Sequence, residues 1–149
     1  MKDQVKDTVQ KKIKTSLELQ IILSKVYHSQ TRFFYQFMKK WNLSLPQYAI
    51  LTQLREHRQL SQNELAANLC VSKGNVSQLI QKLEQAGWVV REQQWKTKSL
   101  SLTASGAALV EEIEPERNAF LLQHYQNMPR KKQKQLIQLM KTLDTLCSN

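Results

Sequence analysis

Between Ser61 and Thr103 the chain sets down two short helical patterns three residues apart, then a glycine stop, then two short strands around a basic turn. That order reads as a winged helix-turn-helix, and it points to duplex DNA. Ser61-Gln62-Asn63-Glu64 opens the first pattern. The Ser61 hydroxyl can cap the free backbone N–H groups, and Glu64 can reach back to the N–H of Ser61. Leu65, Ala66 and Leu69 then recur at helical spacing and give one narrow apolar side that stops near Cys70. Ser72 is the next cap, after which Val76, Leu79, Ile80 and Leu83 fall at i, i+3, i+4 and i+7, a single buried stripe. Gly87 supplies the left-handed residue that a helix stop commonly needs.

The opposite side of the second helix decides the functional reading. Gly74, Asn75, Gln78, Gln81, Lys82 and Gln85 point away from the stripe, with Lys73 and Ser77 on its flanks and Ser72 at its head. Long amides donate and accept at adenine edges, lysine donates to guanine O6 and N7, and Lys or Ser holds phosphates. The face is nearly free of acid, since Glu84 lies toward its edge. An isolated polar helix face is more often plain solvated surface. The paired helix and the following hairpin weigh against that here.

Trp88 to Gln93 and Lys98 to Leu102 read as strands, because β-branched and aromatic residues alternate with polar ones. Leu100 and Leu102 should face the core, and Ser99 and Ser101 should face out. The turn Gln94-Trp95-Lys96-Thr97 carries no Asn-Gly or Asp-Gly signal to fix its type. A basic turn beside a recognition helix is placed to touch phosphates or the neighbouring minor groove. Lys96 and Lys98 are the candidates, with Arg91 either joining them or pairing with a nearby acid. Trp95 either packs on sugar or folds back on its own hairpin.

These residues resemble the MarR-type transcriptional regulators. The matching runs are Leu65-Ala66 to Leu69, Val71 to Ser77, Leu79-Ile80 with Leu83-Glu84, Gly87-Trp88-Val89, and Leu102-Thr103 followed by Gly106. The resemblance implies a homodimer of winged-helix subunits that binds a pseudo-palindromic operator, often represses, and often lets go of DNA when a small molecule or an oxidant acts. It also implies that the first and last two helices form the dimer interface. Many members carry an Asp-x-Arg-Asp-x-Arg type wing whose arginine enters the minor groove. Glu92 to Lys98 has neither Asp nor Arg and looks shorter, so Lys96 is a loose substitute.

Length and charge agree with this fold class, mainly α with a small β-hairpin wing. The chain has 149 residues, 41% hydrophobic, which suits a single domain (1–149) with a winged region at 44–103 between dimerisation helices at 15–43 and 104–147. Its formal net charge of +10 calls for an acidic partner, and nucleic acid is the commonest one for a compact basic domain. No stretch approaches the ~18 apolar residues of a spanning helix, and the polar Met1 to Lys14 segment has no secretory character. A cytoplasmic protein without membrane partners is expected. The basic residues Lys2, Lys6, Lys11, Lys12 and Lys14 outnumber Asp3 and Asp7, and Arg130 to Lys134 adds a second basic run. Both read as solvated ends, the first alternatively as a flexible arm that follows phosphates.

A long first helix is expected from about Thr15 to Lys40. Ser44-Leu45-Pro46-Gln47 starts the next, with Tyr48, Ile50, Leu51 and Leu54 as its buried side. A helix opens at Thr103 and runs through Val110, and Pro115 should kink or interrupt it. After Pro129 the positions Leu136, Leu139, Met140, Leu143 and Leu146 form a last stripe. Burial of these terminal stripes against a second copy gives a dimer, whose recognition helices would sit about one DNA turn, ~34 Å, apart. Tyr27, His28, Arg32, Tyr35, Trp41 and Tyr48 offer aromatic walls and polar handles for a small aromatic or phenolic effector, or serve as ordinary core and dimer packing.

Cys70 and Cys147 lack C-x-x-C spacing, and His28, His57 and His124 lack metal-ligand spacing, so no cofactor or metal is expected. Cys70 precedes the recognition helix, where a thiol can oxidise readily; burial as a small apolar residue is its other reading. No phosphate loop or nucleophile elbow suggests an enzyme. The remaining alternative is a winged-helix module that binds protein without specific DNA binding.

Overall fold

Three serine hydroxyls set where the central helices begin. Ser44 caps α2 (Leu45–His57), Ser61 caps α3 (Gln62–Leu69) and Ser72 caps α4 (Lys73–Gln85). Each hydroxyl accepts the N–H three residues on, from Gln47 at 3.3 Å, Glu64 at 3.2 Å and Asn75 at 3.2 Å. In the first two, Gln47 Oε1 and Glu64 Oε2 accept the cap residue's own N–H at 2.8 and 2.7 Å, closing the boxes. A cap of this kind contributes about 1 kcal/mol. Glu64 is also held below the usual carboxylate range, first by the Ser61 hydroxyl and then by the Ser61 backbone.

This computed structural model describes residues 2–94 and 97–147. The other elements are α1 (Lys2–Lys39), β1 (Val89–Gln94), β2 (Thr97–Leu102), α5 (Ala104–Tyr125) and α6 (Arg130–Cys147). The chain divides into two compact units, Met1–Gly106 and Ala107–Asn149. The expected class holds, mainly α with one antiparallel hairpin among the described residues.

Inside the first unit, Ile50, Leu51 and Leu54 of α2 meet Leu65 of α3 and Val76, Ile80 and Leu83 of α4, all essentially inaccessible. Burying each such side chain contributes about 1.5–3 kcal/mol. The apolar stripes of α3 and α4 thus face inward as their spacing requires, with Leu69 and Leu79 half-buried at the margins. Gly87, at φ 76, turns the chain out of α4 into the hairpin.

The hairpin pairs Val89 with Leu102, Arg91 with Leu100 and Gln94 with Thr97. On the other edge of β2, Leu60 and Leu100 exchange N–H···O bonds of 3.2 and 2.8 Å, which docks the α2–α3 connection onto the wing. Val89 and Leu100 are buried, but Leu102 is only half-buried, and Ser99 and Ser101 are half-buried where they were expected to face out. A polar cluster covers part of that side: Glu92 accepts from the Ser101 hydroxyl at 3.3 Å and from the Gln59 amide at 3.0 Å. Trp95 and Lys96 lie outside the described residues.

One expectation about the long helices fails. The helix expected from about Thr15 begins at Lys2, so the basic N-terminal run is helical and forms no free arm. Its Lys and Gln residues are good helix formers, and Lys11 Nζ meets Asp7 Oδ2 at 2.6 Å one turn back. Of the kink or interruption expected at Pro115, the interruption does not occur, since α5 runs through to Tyr125. One missing N–H sits between bonded turns rich in Glu and Arg, which sustain the helix on both sides. No helix among the described residues is long and apolar enough to cross a membrane.

Candidate nucleic-acid interface

With Val76, Ile80 and Leu83 locked in the core and Leu79 half-buried beside them, the opposite face of α4 is left to solvent. Ser72, Lys73, Gly74, Asn75, Gln78, Gln81 and Lys82 are all exposed, and Ser77 is half-buried on the flank. Beyond its chain neighbours and its own helix backbone, no atom of the described residues lies within 4 Å of where a Cβ on Gly74 would sit, so packing does not demand a glycine there. The helix therefore presents amides, two ammonium groups and a bare stretch of backbone along one open face. Such a face can enter a major groove, read base edges with Asn75, Gln78 and Gln81, and neutralise phosphates with Lys73 and Lys82.

The acid at its edge is not free. Glu84 takes the Arg91 Nε at 3.0 Å to each carboxylate oxygen, so the pairing that the sequence left open for Arg91 is the one observed. Arg91 Nη1 also donates to Gln62 Oε1 at 3.3 Å, and Gln62 Nε2 reaches the Lys73 carbonyl at 3.4 Å. Beside this chain of contacts a shallow cleft is lined by Ser61, Asn63, Lys98 and Ser99. Lys98 is exposed there, near the head of α3.

Against known proteins, the sequence model of the MarR family matches residues 43–95. An HTH-type transcriptional regulator of Bacillus cereus is 38% identical over 106 residues, 70% of this chain and 72% of that one. The chain belongs to the MarR family. Its fold is shared with a mutant MarR from E. coli complexed with operator DNA, at TM-score 0.77 and 20% identity over 84% of this chain and 92% of that one. NadR in complex with 4-hydroxyphenylacetate superposes at TM-score 0.76 with 26% identity over 87% of this chain and 97% of that one. The protein is accordingly a MarR-family transcriptional regulator built on a winged helix-turn-helix, and not an enzyme.

The residues expected to line an effector pocket in this MarR-family chain are dispersed within its first unit. Tyr27, His28, Arg32 and Tyr35 lie exposed along α1, Trp41 is half-buried in the α1–α2 connection, and Tyr48 is buried on α2. His28 and Arg32 share a shallow groove with Gln20, Ile21 and Ser24, and the Tyr27 ring stands edge-on to His28 at 5.6 Å. Among the described residues, Trp41 Nε1 is buried without a hydrogen-bond partner. Cys70 is exposed, which corrects its reading as a buried apolar residue. It occupies the left-handed stop of α3 at φ 52, ψ 39, a conformation usually left to Gly or Asn, and its N–H donates to the Ala67 carbonyl at 3.2 Å. That conformation carries its side chain off the apolar side of α3.

Sequence reasoning missed Gln62 and the clasp at the end of the wing. There the hydroxyls of Thr103 and Ser105 both donate to the Gly87 carbonyl, at 2.6 and 2.8 Å, tying the head of α5 to the stop of α4. Neither has a local signature. Both join residues far apart in sequence.

Proposed function

We propose that this protein is a homodimeric, cytoplasmic repressor that binds an inverted-repeat operator and releases it when a small aromatic acid or phenol binds. The observation that carries the reading is the open, acid-poor face of α4 opposite a stripe whose Val76, Ile80 and Leu83 are buried in the core. Lys73, Asn75, Gln78, Gln81 and Lys82 meet the major groove, with Ser72 and Ser77 at its phosphates. Lys98 meets the backbone beside it.

A dimer is supported by apolar residues left about half-exposed on α1, among them Val9, Ile13, Leu17 and Ile21, and on α6, among them Leu136, Ile137 and Met140. Water-facing patches of that extent usually mark an interface. One α4 reads too few base pairs for useful specificity, and a two-fold axis doubles the site. The superposable MarR bound to operator DNA supports the groove assignment, and NadR with 4-hydroxyphenylacetate supports the effector class.

Sequencing of DNA fragments retained by the protein tests this directly. An inverted repeat with half-sites about one turn apart, ~34 Å, is expected. Added aromatic acids should empty the pool. Retention of one undivided, asymmetric half-site, or of random sequence, would contradict the proposal.

A further inference from the structure

We infer that Arg91 is a positioning residue for DNA reading rather than a DNA contact: from the wing it holds α4 at both ends. The inference rests on the proposed seating of α4 in the major groove. Arg91 stands on β1, yet its guanidinium spans two other elements. Nε donates to both oxygens of Glu84 near the C-terminal end of α4 at 3.0 Å, and Nη1 donates to Gln62 at the head of α3 at 3.3 Å. Gln62 passes the contact on to the carbonyl of Lys73, the first residue of α4, at 3.4 Å. One side chain thereby links the two ends of a 13-residue helix whose outer face is exposed among the described residues. A planar, forked donor is suited to this, because its N–H groups leave in fixed directions and fix the angle between their acceptors.

The arrangement contributes little to folding. Arg91 and Glu84 side chains remain 42% and 29% exposed, where an ion pair is largely screened. Its consequence is the tilt and roll of α4. A small rotation of that helix moves Asn75, Gln78 and Gln81 off their base edges while leaving flexible lysines on the phosphates. The contact chain therefore governs discrimination between sequences more than affinity for DNA as such.

The two roles for Arg91 predict opposite responses to loss of Glu84. In the positioning role, Glu84→Ala and Arg91→Gln each lower the ratio of operator to random-duplex affinity about five- to tenfold, as expected when a coupled pair is broken. The salt dependence of random-duplex binding stays unchanged in Arg91→Gln, because no phosphate contact is lost. The charge-swapped double variant Glu84→Arg with Arg91→Glu recovers a good part of the ratio. In the direct-contact role, Glu84→Ala frees the guanidinium and tightens binding to every duplex with the ratio unchanged, Arg91→Gln flattens the salt dependence, and the swap rescues nothing. Those results would overturn the inference. Thermal melts of each variant check that the fold survives, and the double variant decides the matter if one single variant melts early. Failure of the wild-type protein to select any operator would instead sink the groove assignment on which the inference rests.

Discussion

The stripes of α4 and α6 have the same spacing and opposite fates. Val76, Leu79, Ile80 and Leu83 repeat the i, i+3, i+4, i+7 pattern of Leu136, Leu139, Met140 and Leu143. In α4, Val76, Ile80 and Leu83 are fully covered by their own chain. In α6, Leu136 is 47% exposed, Leu139 68% and Met140 46%. An apolar stripe says that a helix must be covered, and is silent on whether its own chain or another copy does the covering. What faces away differs as well: α4 turns out amides and two lysines, the equipment of a reader, while α6 begins with the basic run from Arg130 to Lys134.

Truncation tests this contrast most strongly. Ile80→Ala should cost about 2–5 kcal/mol of folding stability, since it empties a filled core site. Leu139→Ala should scarcely change the stability of an isolated subunit but should shift the monomer–dimer equilibrium toward monomer, read by sedimentation at several concentrations. If Leu139→Ala unfolded the chain and left association intact, α6 would be core and the contrast false.

Next in size are the substitutions on the outer face of α4. Gln78→Ala should lower discrimination between operator and random duplex by about 1–3 kcal/mol if it removes a bidentate base contact. Lys98→Ala should weaken all duplexes alike and reduce the salt slope by about 0.9, one phosphate's worth. Titrations of both DNAs at several salt concentrations separate the two. Identical behaviour of Gln78→Ala and Lys98→Ala would erase the division between reader and anchor.

Gly74→Ala sharpens the comparison from another side. Nothing crowds that position, so alanine should raise the stability of the free protein by up to about 1 kcal/mol. If DNA backbone approaches Gly74 closely, the same change should weaken operator binding. A melt and a titration on one sample decide it.

The smallest effect concerns the head of α3. The folded-state pKa of Glu64 lies below its unfolded value, so its contribution is fully present above the unfolded pKa and is lost as pH falls through the folded one. The stability difference between wild type and Glu64→Gln should therefore be largest near neutral pH and close as the solution is acidified below the usual carboxylate range. A difference that grows on acidification would contradict the capping assignment.

Local chemistry made much of this legible in the sequence. Ser44, Ser61 and Ser72 announce their helices because a hydroxyl three residues from an N–H is a short-range arrangement, and Gly87 ends α4 for the same kind of reason. The stripe of α4 implied its outer face, since a helix with one side buried must expose the other. The start of α1 escaped because Lys and Gln carry no apolar period, although they favour helix. Cys70 escaped because its residue type suggests burial, while its left-handed position at the helix stop turns it outward. The sequence left an acid pairing open for Arg91, but Glu84 as its partner and the link through Gln62 escaped, because they join a helix, a strand and a second helix and no spacing along the chain encodes such a meeting.

Methylation interference at guanine N7 on a selected operator addresses the groove assignment most directly, because N7 faces only the major groove. The account predicts two clusters of interfering guanines, symmetric and about one helical turn apart. Interference confined to minor-groove adenine N3, with guanine N7 methylation tolerated throughout, would contradict it.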